Sequence, residues 1–308
     1  MKYAQSAAAK LPAPKAKHKK SRLRRMTVAD YIIYIFLFLC VFVMIYPFLF
    51  VLGGSFSDGQ DYMNGGVWLF PRVWTLANYQ VIVSDSLLWI AYRNTVVRTF
   101  FGSILSLTFT SLVSYAMSRR ELKGRTFFQI ANLVTMFFGG GLIPYFALIN
   151  LIGLYDSFLV YIIPALYSVY NMIVISSGYR GISEELHDSA VIDGAGELRI
   201  WAQIYFPLSK AVHATVLLWL VVGNWNSYYS TMVYTRGGED VILLQYYLMG
   251  VINKASYTPD VGGEVLEQVT SKTVSYAAII IAILPILFVY PFLSKYFTKG
   301  VMVGSLKG

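Results

Sequence analysis

Six stretches of this chain run between consecutive charged residues for long enough to cross a bilayer, which takes ~20 mostly apolar residues in a helix. They lie between Asp30 and Asp58, Arg98 and Arg119, Arg125 and Asp156, Asp156 and Arg180, Lys210 and Arg236, and Lys272 and Lys295. Trimmed at Gly, Ser and Asn, the pattern predicts membrane helices over 31–55, 97–118, 128–149, 158–177, 211–233 and 274–294. A further apolar run at 241–253, VILLQYYLMGVIN, is too short to cross and reads as an interfacial or loop helix outside the membrane.

Several positions interrupt these runs. Gly139, Gly140 and Gly141 with Pro144 break the third span, through close packing or at a cavity wall. Pro285 and Pro291 are expected to kink or end the last span. Between the first two spans, 56–96 carries Trp68, Pro71, Trp74 and Tyr79, whose rings suit the headgroup belt. A second outside segment, 234–273, has acids Glu239, Asp240, Asp260, Glu264 and Glu267 against bases Arg236, Lys254 and Lys272, and is large enough to touch a soluble partner.

Basic residues orient the spans, because they stay on the cytoplasmic side of short loops. With the N-terminus inside, most of the 25 Lys and Arg fall inside: the tail before Met26, RRELKGR at 119–125, Arg180, Arg199 and Lys210, and the C-terminal Lys295, Lys299 and Lys307. Both termini are thus expected in the cytoplasm. The net charge of +9 then reflects topology, with the 1–26 tail against anionic lipid, and no nucleic acid is implied. That tail is rich in Ala, Pro and Lys and reads as disordered. Its following apolar run is too long for a cleaved signal sequence and is expected to be retained. A composition of 56% hydrophobic and 13% charged residues fits an all-α membrane protein. The lone Cys40 lies inside the first span and implies neither disulfide nor metal site.

One cytoplasmic loop is long: 178–209, GYRGISEELHDSAVIDGAGELRIWAQIYFPLS. Ser183 is a good N-cap, and Glu184 and Glu185 favour the positive end of a helix starting there. Leu186 and Ala190 share one face, and Asp193 and Gly194 supply a stop. A second short helix over 195–205 is expected to end before Pro207. Such a helix, glycine turn and helix suit docking into a groove on a soluble protein.

These residues resemble the binding-protein-dependent permeases of ATP-binding-cassette importers. Their cytoplasmic signature is Glu-Ala-Ala, three residues, Gly, nine residues, Ile, one residue, Leu-Pro. Here it reads Asp188, Ser189, Ala190, then Gly194, then Ile204, then Phe206 and Pro207, with Asp for Glu, Ser for Ala and Phe for Leu. Trp225-Asn226 matches a dipeptide of carbohydrate permeases, and GGLIPYFALINLIGLYDS and GNWNSY are similar to the complex-oligosaccharide branch. The resemblance implies that 183–207 is a coupling segment seated in an ATPase subunit, with Glu184, Glu185, Asp188, Ser189, Ala190, Gly194, Ile204 and Pro207 at the contact. It also implies a second, unlike permease, two ATPase subunits that carry ATP and Mg, an extracytoplasmic sugar-binding protein, and no cofactor in this chain.

Sugars offer hydroxyls and flat apolar faces, so a path for them needs amides and hydroxyls beside aromatic rings. Asn224, Trp225, Asn226, Ser227, Tyr228 and Tyr229 supply these, with Tyr145 and Tyr170 as further candidates. Equally open is that the asparagines bond neighbouring helices and the tyrosines belong to the interface belt. His187 and His213 have no partner at ligand spacing and read as incidental. The chain has no Gly-Lys phosphate loop, HExxH, CxxC or GxSxG, so it is not expected to be an enzyme.

The expected organisation is a 1–26 tail, a 27–96 first span and outside loop, a 97–297 core of five spans, and a 298–308 tail. The expected function is to form half of the path for a sugar in a bacterial cell-membrane importer. An ion-coupled carrier would usually hold intramembrane acids, and the six runs contain none. A membrane scaffold would leave the signature spacing unexplained.

Overall fold

The computed structural model describes residues 27–65, 69–257 and 269–304, with the backbone alone for 255–257, 290 and 292–304. The basic tail 1–26, Trp68, Asp260, Glu264, Glu267 and Lys307 lie outside the described residues.

Among the described residues every regular element is helical. In chain order these are α1 Val28–Ser55, α2 Gly59–Met63, α3 Ala77–Ser84, α4 Ser86–Ser118, α5 Arg125–Phe137 and α6 Leu142–Leu151. Two 3₁₀ turns, Phe158–Tyr161 and Ile163–Ala165, lead into α7 Val169–Arg180. There follow α8 Glu184–Ile192, α9 Glu197–Ile200, a π turn Trp201–Tyr205, α10 Phe206–Leu208, α11 Lys210–Trp225, α12 Tyr229–Tyr234, α13 Leu244–Tyr257 and α14 Ser271–Gly304. The chain divides into a unit Met1–Pro47, which holds the first part of α1, and a unit Phe48–Gly308, to which the packing and the site residues described below belong.

Among the described residues three helices are long and apolar enough to cross a membrane: α1, α4, and α14 over Ser271–Val289. Three bent pairs bring this to six if each pair is one span: Arg125–Phe137 with Leu142–Leu151 at 114°, Phe158–Ala165 with Val169–Arg180 at 43°, and Glu197–Leu208 with Lys210–Trp225 at 86°. The first break falls on the glycine triplet, where Gly141 has φ +83. A Cβ at Gly139 or Gly141 would meet nothing within 4 Å, so close packing inside this chain is not the reason for these glycines. They leave the backbone free to turn.

Several predicted ends move. The second helix starts at Ser86 rather than 97, because Asp85 caps it by accepting the Leu87 N–H at 2.9 Å, and Arg93 and Arg98, which limit the apolar run, lie inside it. Pro207 does not end the helix before it. In the π turn Phe206 N–H bonds the Trp201 carbonyl, and this wider turn accommodates the ring that would clash with an ordinary ladder, so the bend comes at Ser209. Pro285 and Pro291 both sit inside α14 and neither ends it, since each removes one donor from an otherwise continuous apolar helix.

The buried face of α4 is a row of small hydroxyl residues, Thr95, Thr99, Ser103, Ser106, Thr110 and Ser114, spaced three or four apart. Small residues let neighbouring backbones approach. Thr110 Oγ1 donates to the Leu166 carbonyl (3.2 Å) and Ser114 Oγ to that of Met172 (3.2 Å). The expected helix at 241–253 forms as α13 but has a buried face: Leu244 and Leu248 pack with Leu88, Ala91, Ala277 and Ala278. Asn94 Nδ2 donates to the Ile242 carbonyl at 3.0 Å, Leu244 N–H to Thr95 Oγ1 at 2.8 Å and Tyr247 OH to Asp85 Oδ2 at 2.6 Å, tying this segment to α3 and α4.

Candidate functional site

The 183–207 segment forms a capped elbow. Ser183 Oγ accepts the Glu185 N–H, and Glu184 and Glu185 occupy the first turn of α8. At its other end Gly194 takes φ +76, its N–H bonds the Val191 carbonyl (3.0 Å), and Ala195 N–H bonds that of Ala190 (2.9 Å). That pair of bonds is a Schellman stop, and the accompanying apolar contact is supplied by Ala190 and Ala195, both packed on the same cluster.

Most of α8 faces outward. Glu184 pairs with Arg120 at 3.1 Å, both exposed; Asp188 is exposed; Ser189 Oγ donates to the Glu185 carbonyl at 2.8 Å. Apolar side chains are also exposed here: Ile192 at 86%, Leu198 at 72%, with Leu186 and Val191 beside them. Ile204 packs inward with Ala190 on a core of Tyr115, Tyr179, Ile200 and Tyr205.

The elbow is held by side chains the sequence reading passed over. His187, taken there as incidental, is buried at 6%. Arg119 Nη2 lies 3.0 Å from its Nδ1 and Glu197 Oε1 lies 3.3 Å from its Nε2. Arginine can only donate, so Nδ1 accepts, and Nε2 carries the proton given to Glu197. Tyr115 OH also donates to Glu197, and Arg119 Nη1 donates to Tyr205 OH at 3.2 Å. Outside the segments read as membrane spans, Glu197 is held below its ordinary carboxylate value, first by the Tyr115 hydrogen bond and then, against some burial, by His187 and Arg119. A cavity of about 900 Å³ borders this cluster, between the end of α4 and the elbow. His213 is likewise buried and partnered, its Nε2 2.9 Å from Tyr179 OH, which in turn is 2.6 Å from Ser111 Oγ. The signals were available: His187 stands three residues before Ala190, on the helix's buried face, and Glu197 three after Gly194.

The other candidates are not gathered at one site. Asn224 Nδ2 donates to Ser103 Oγ at 3.0 Å and Trp225 Nε1 to the Ala282 carbonyl at 3.0 Å, so both fix α11 to its neighbours. Trp225 also borders a cavity of about 400 Å³ with Tyr92, Phe100 and Ser103. Asn226 Nδ2 donates back to the Val222 carbonyl (2.9 Å), while Tyr228 and Tyr229 are exposed. Tyr170 stands 5.7 Å from Trp219, ring to ring. Tyr145 packs edge-on to Tyr234 and lines a smaller cavity with Arg98, a residue the sequence reading used only to bound a span.

No family model matches the chain. It is 31% identical over 283 residues to the polygalacturonan/rhamnogalacturonan transport system permease protein YtcP of Bacillus subtilis (strain 168), covering 91% of this chain and 98% of that one. It is 31% identical to protein LplC of the same organism, over 86% of this chain and 90% of that one. Among solved structures it resembles a chain of a bacterial ABC transporter involved in the import of the acidic polysaccharide alginate, with TM-score 0.82 and 31% identity over 88% of this chain and 99% of that one. The chain is a membrane protein whose relatives are transport permeases, and it belongs to the ABC transporter permeases for oligosaccharide and polysaccharide uptake.

Proposed function

We propose that this chain is one of two unlike permeases of an ATP-driven importer, spanning the cell membrane six times with both termini inside. The 183–207 elbow docks in an ATPase subunit and carries its motion to the helices that line the sugar path. The observation that carries this reading is the exposed helix Glu184–Ile192, apolar at its outward end and clamped at its base to α4 through His187, Arg119 and Glu197. A helix fixed at its root with Ile192 and Leu198 in solvent suits a partner that covers it.

In this reading two ATPase subunits hydrolyse ATP with Mg, and an extracytoplasmic binding protein delivers the sugar. Tyr145, Tyr170, Asn226, Tyr228 and Tyr229 contact the sugar, while Asn224 and Trp225 hold the wall. The ligands in the names of the relatives, polygalacturonan, rhamnogalacturonan and alginate, support an oligosaccharide cargo. An ion-coupled carrier is not favoured, since the relatives are permeases of ATP-binding-cassette systems.

Co-purification tests the reading. An ATPase subunit retained by the wild-type chain, with ATP hydrolysis that a saccharide stimulates, is expected. Sugar uptake by this chain alone in liposomes would contradict it.

A further inference from the structure

We infer that Arg98 forms an anion-binding subsite on the translocation path, and that the transported saccharide is therefore acidic, carrying carboxylates as a uronate does. This rests on the sugar-import reading above and narrows its cargo.

Arg98 lies inside α4 and is 5% exposed, yet its Nε and Nη1 have no hydrogen-bond partner. Among the described residues no carboxylate pairs with it. Asp156, the acid that acts on Tyr161, is engaged elsewhere, accepting the Arg236 N–H at 2.9 Å with Arg236 Nε 3.9 Å away. Among the described residues its charge meets the face of Tyr161, 4.9 Å from the guanidinium carbon. That ring is fixed, because Tyr161 OH donates to the Val241 carbonyl at 2.6 Å.

A buried guanidinium with free N–H donors is costly, and folded proteins pair such groups or use them. Arg98 lines a cavity of about 150 Å³ together with Tyr145, Tyr161, Ser230 and Tyr234. At ~30 Å³ per water this holds roughly five waters, enough for a carboxylate and part of a ring. Neutral sugars are satisfied by amides, hydroxyls and ring faces, which Ser230 and the tyrosines supply. A guanidinium adds a planar, permanently charged fork that matches a carboxylate.

The test uses the complete importer in lipid nanodiscs, with trigalacturonate and the neutral galactose trisaccharide obtained by reducing its carboxyl groups. The wild type is expected to bind the acid at least about tenfold more tightly. Arg98→Gln should erase that preference by weakening the acid alone, Arg98→Lys should keep part of it, and Arg98→Met should not lower the melting temperature, because relieving the desolvation of a buried charge with no carboxylate partner outweighs the lost contact with the Tyr161 ring. Equal binding of both probes by the wild type would overturn the inference. So would an equal loss of both in Arg98→Gln, or a lower melting temperature in Arg98→Met with the preference intact. If the neutral trisaccharide stimulates ATP hydrolysis and the acid neither binds nor stimulates, the acidic cargo falls and the sugar importer stands. If saccharides of neither kind stimulate it, both fall.

Discussion

Arg119 donates from Nη2 to His187 Nδ1 across 3.0 Å, and the two residues, 68 apart in sequence, join the end of α4 to the first helix of the elbow. Because the guanidinium cannot accept, the imidazole must give its proton to Glu197, in the second helix. One side chain thereby ties three helical segments.

Removing it should loosen the elbow without unfolding the membrane core. His187→Ala leaves Arg119 short of an acceptor, a loss of about 1 to 3 kcal/mol. His187→Gln, which keeps one acceptor and one donor, should lose less. Proteolysis of the 181–209 segment in the purified complex checks this: faster cleavage in the alanine variant, with intermediate cleavage in the glutamine variant.

The pH dependence has a defined sign. Glu197 is held below its ordinary value of 4.5, first by the Tyr115 hydrogen bond, so its contribution to the folded elbow is present above that value and is lost as pH falls through the lower, folded one. Protection of 184–208 in hydrogen exchange should therefore be insensitive to Glu197 between neutral and mildly acid pH and should weaken below about pH 4.5. In Glu197→Gln that acid-side loss should disappear.

At Gly194 the backbone conformation, not the space inside this chain, decides which small residues are tolerated. The φ of +76 costs other residues roughly 1 to 2 kcal/mol, while the space around a Cβ there is empty to 4 Å. Gly194→Asn should stay closest to wild type in uptake and Gly194→Ala should fall below it. Gly194→Trp should abolish uptake with insertion intact, because bulk at an open position obstructs a partner rather than this fold. Uptake and membrane fractionation read both.

The helices α7 and α11 meet at a point that can be tested alone. A Cβ at Gly178 would lie 2.9 Å from Val212 Cγ2. Gly178→Ala should lower the stability of the complex by about 1 to 3 kcal/mol, and Val212→Ala in the same chain should recover most of it. Thermal melts of the single and double variants measure the coupling.

Local signals carried the helical class and the elbow's caps. Apolar runs marked the helices, the glycine triplet marked a break, and Ser183 and Gly194 act through neighbours within four residues. Features that depend on distant partners were hidden. His187 gains its meaning from Arg119 and Tyr115 acts on Glu197 82 residues away. Pro207 was read as a stop because the π turn that accommodates it has no marker in the local residues. Arg98 looked like the edge of a span because charge ends an apolar run, whereas Asp85 starts the helix well before it.

The central claim is that the exposed end of the elbow meets an ATPase. Placing a photo-crosslinking residue at Ile192 in the complete importer tests it most directly, since this side chain is 86% exposed and makes no contribution to the core. An adduct with the ATPase subunit, absent when the probe stands at Tyr228, is the expected result. An Ile192 probe that never crosslinks to that subunit, while the intact complex hydrolyses ATP, would contradict the account.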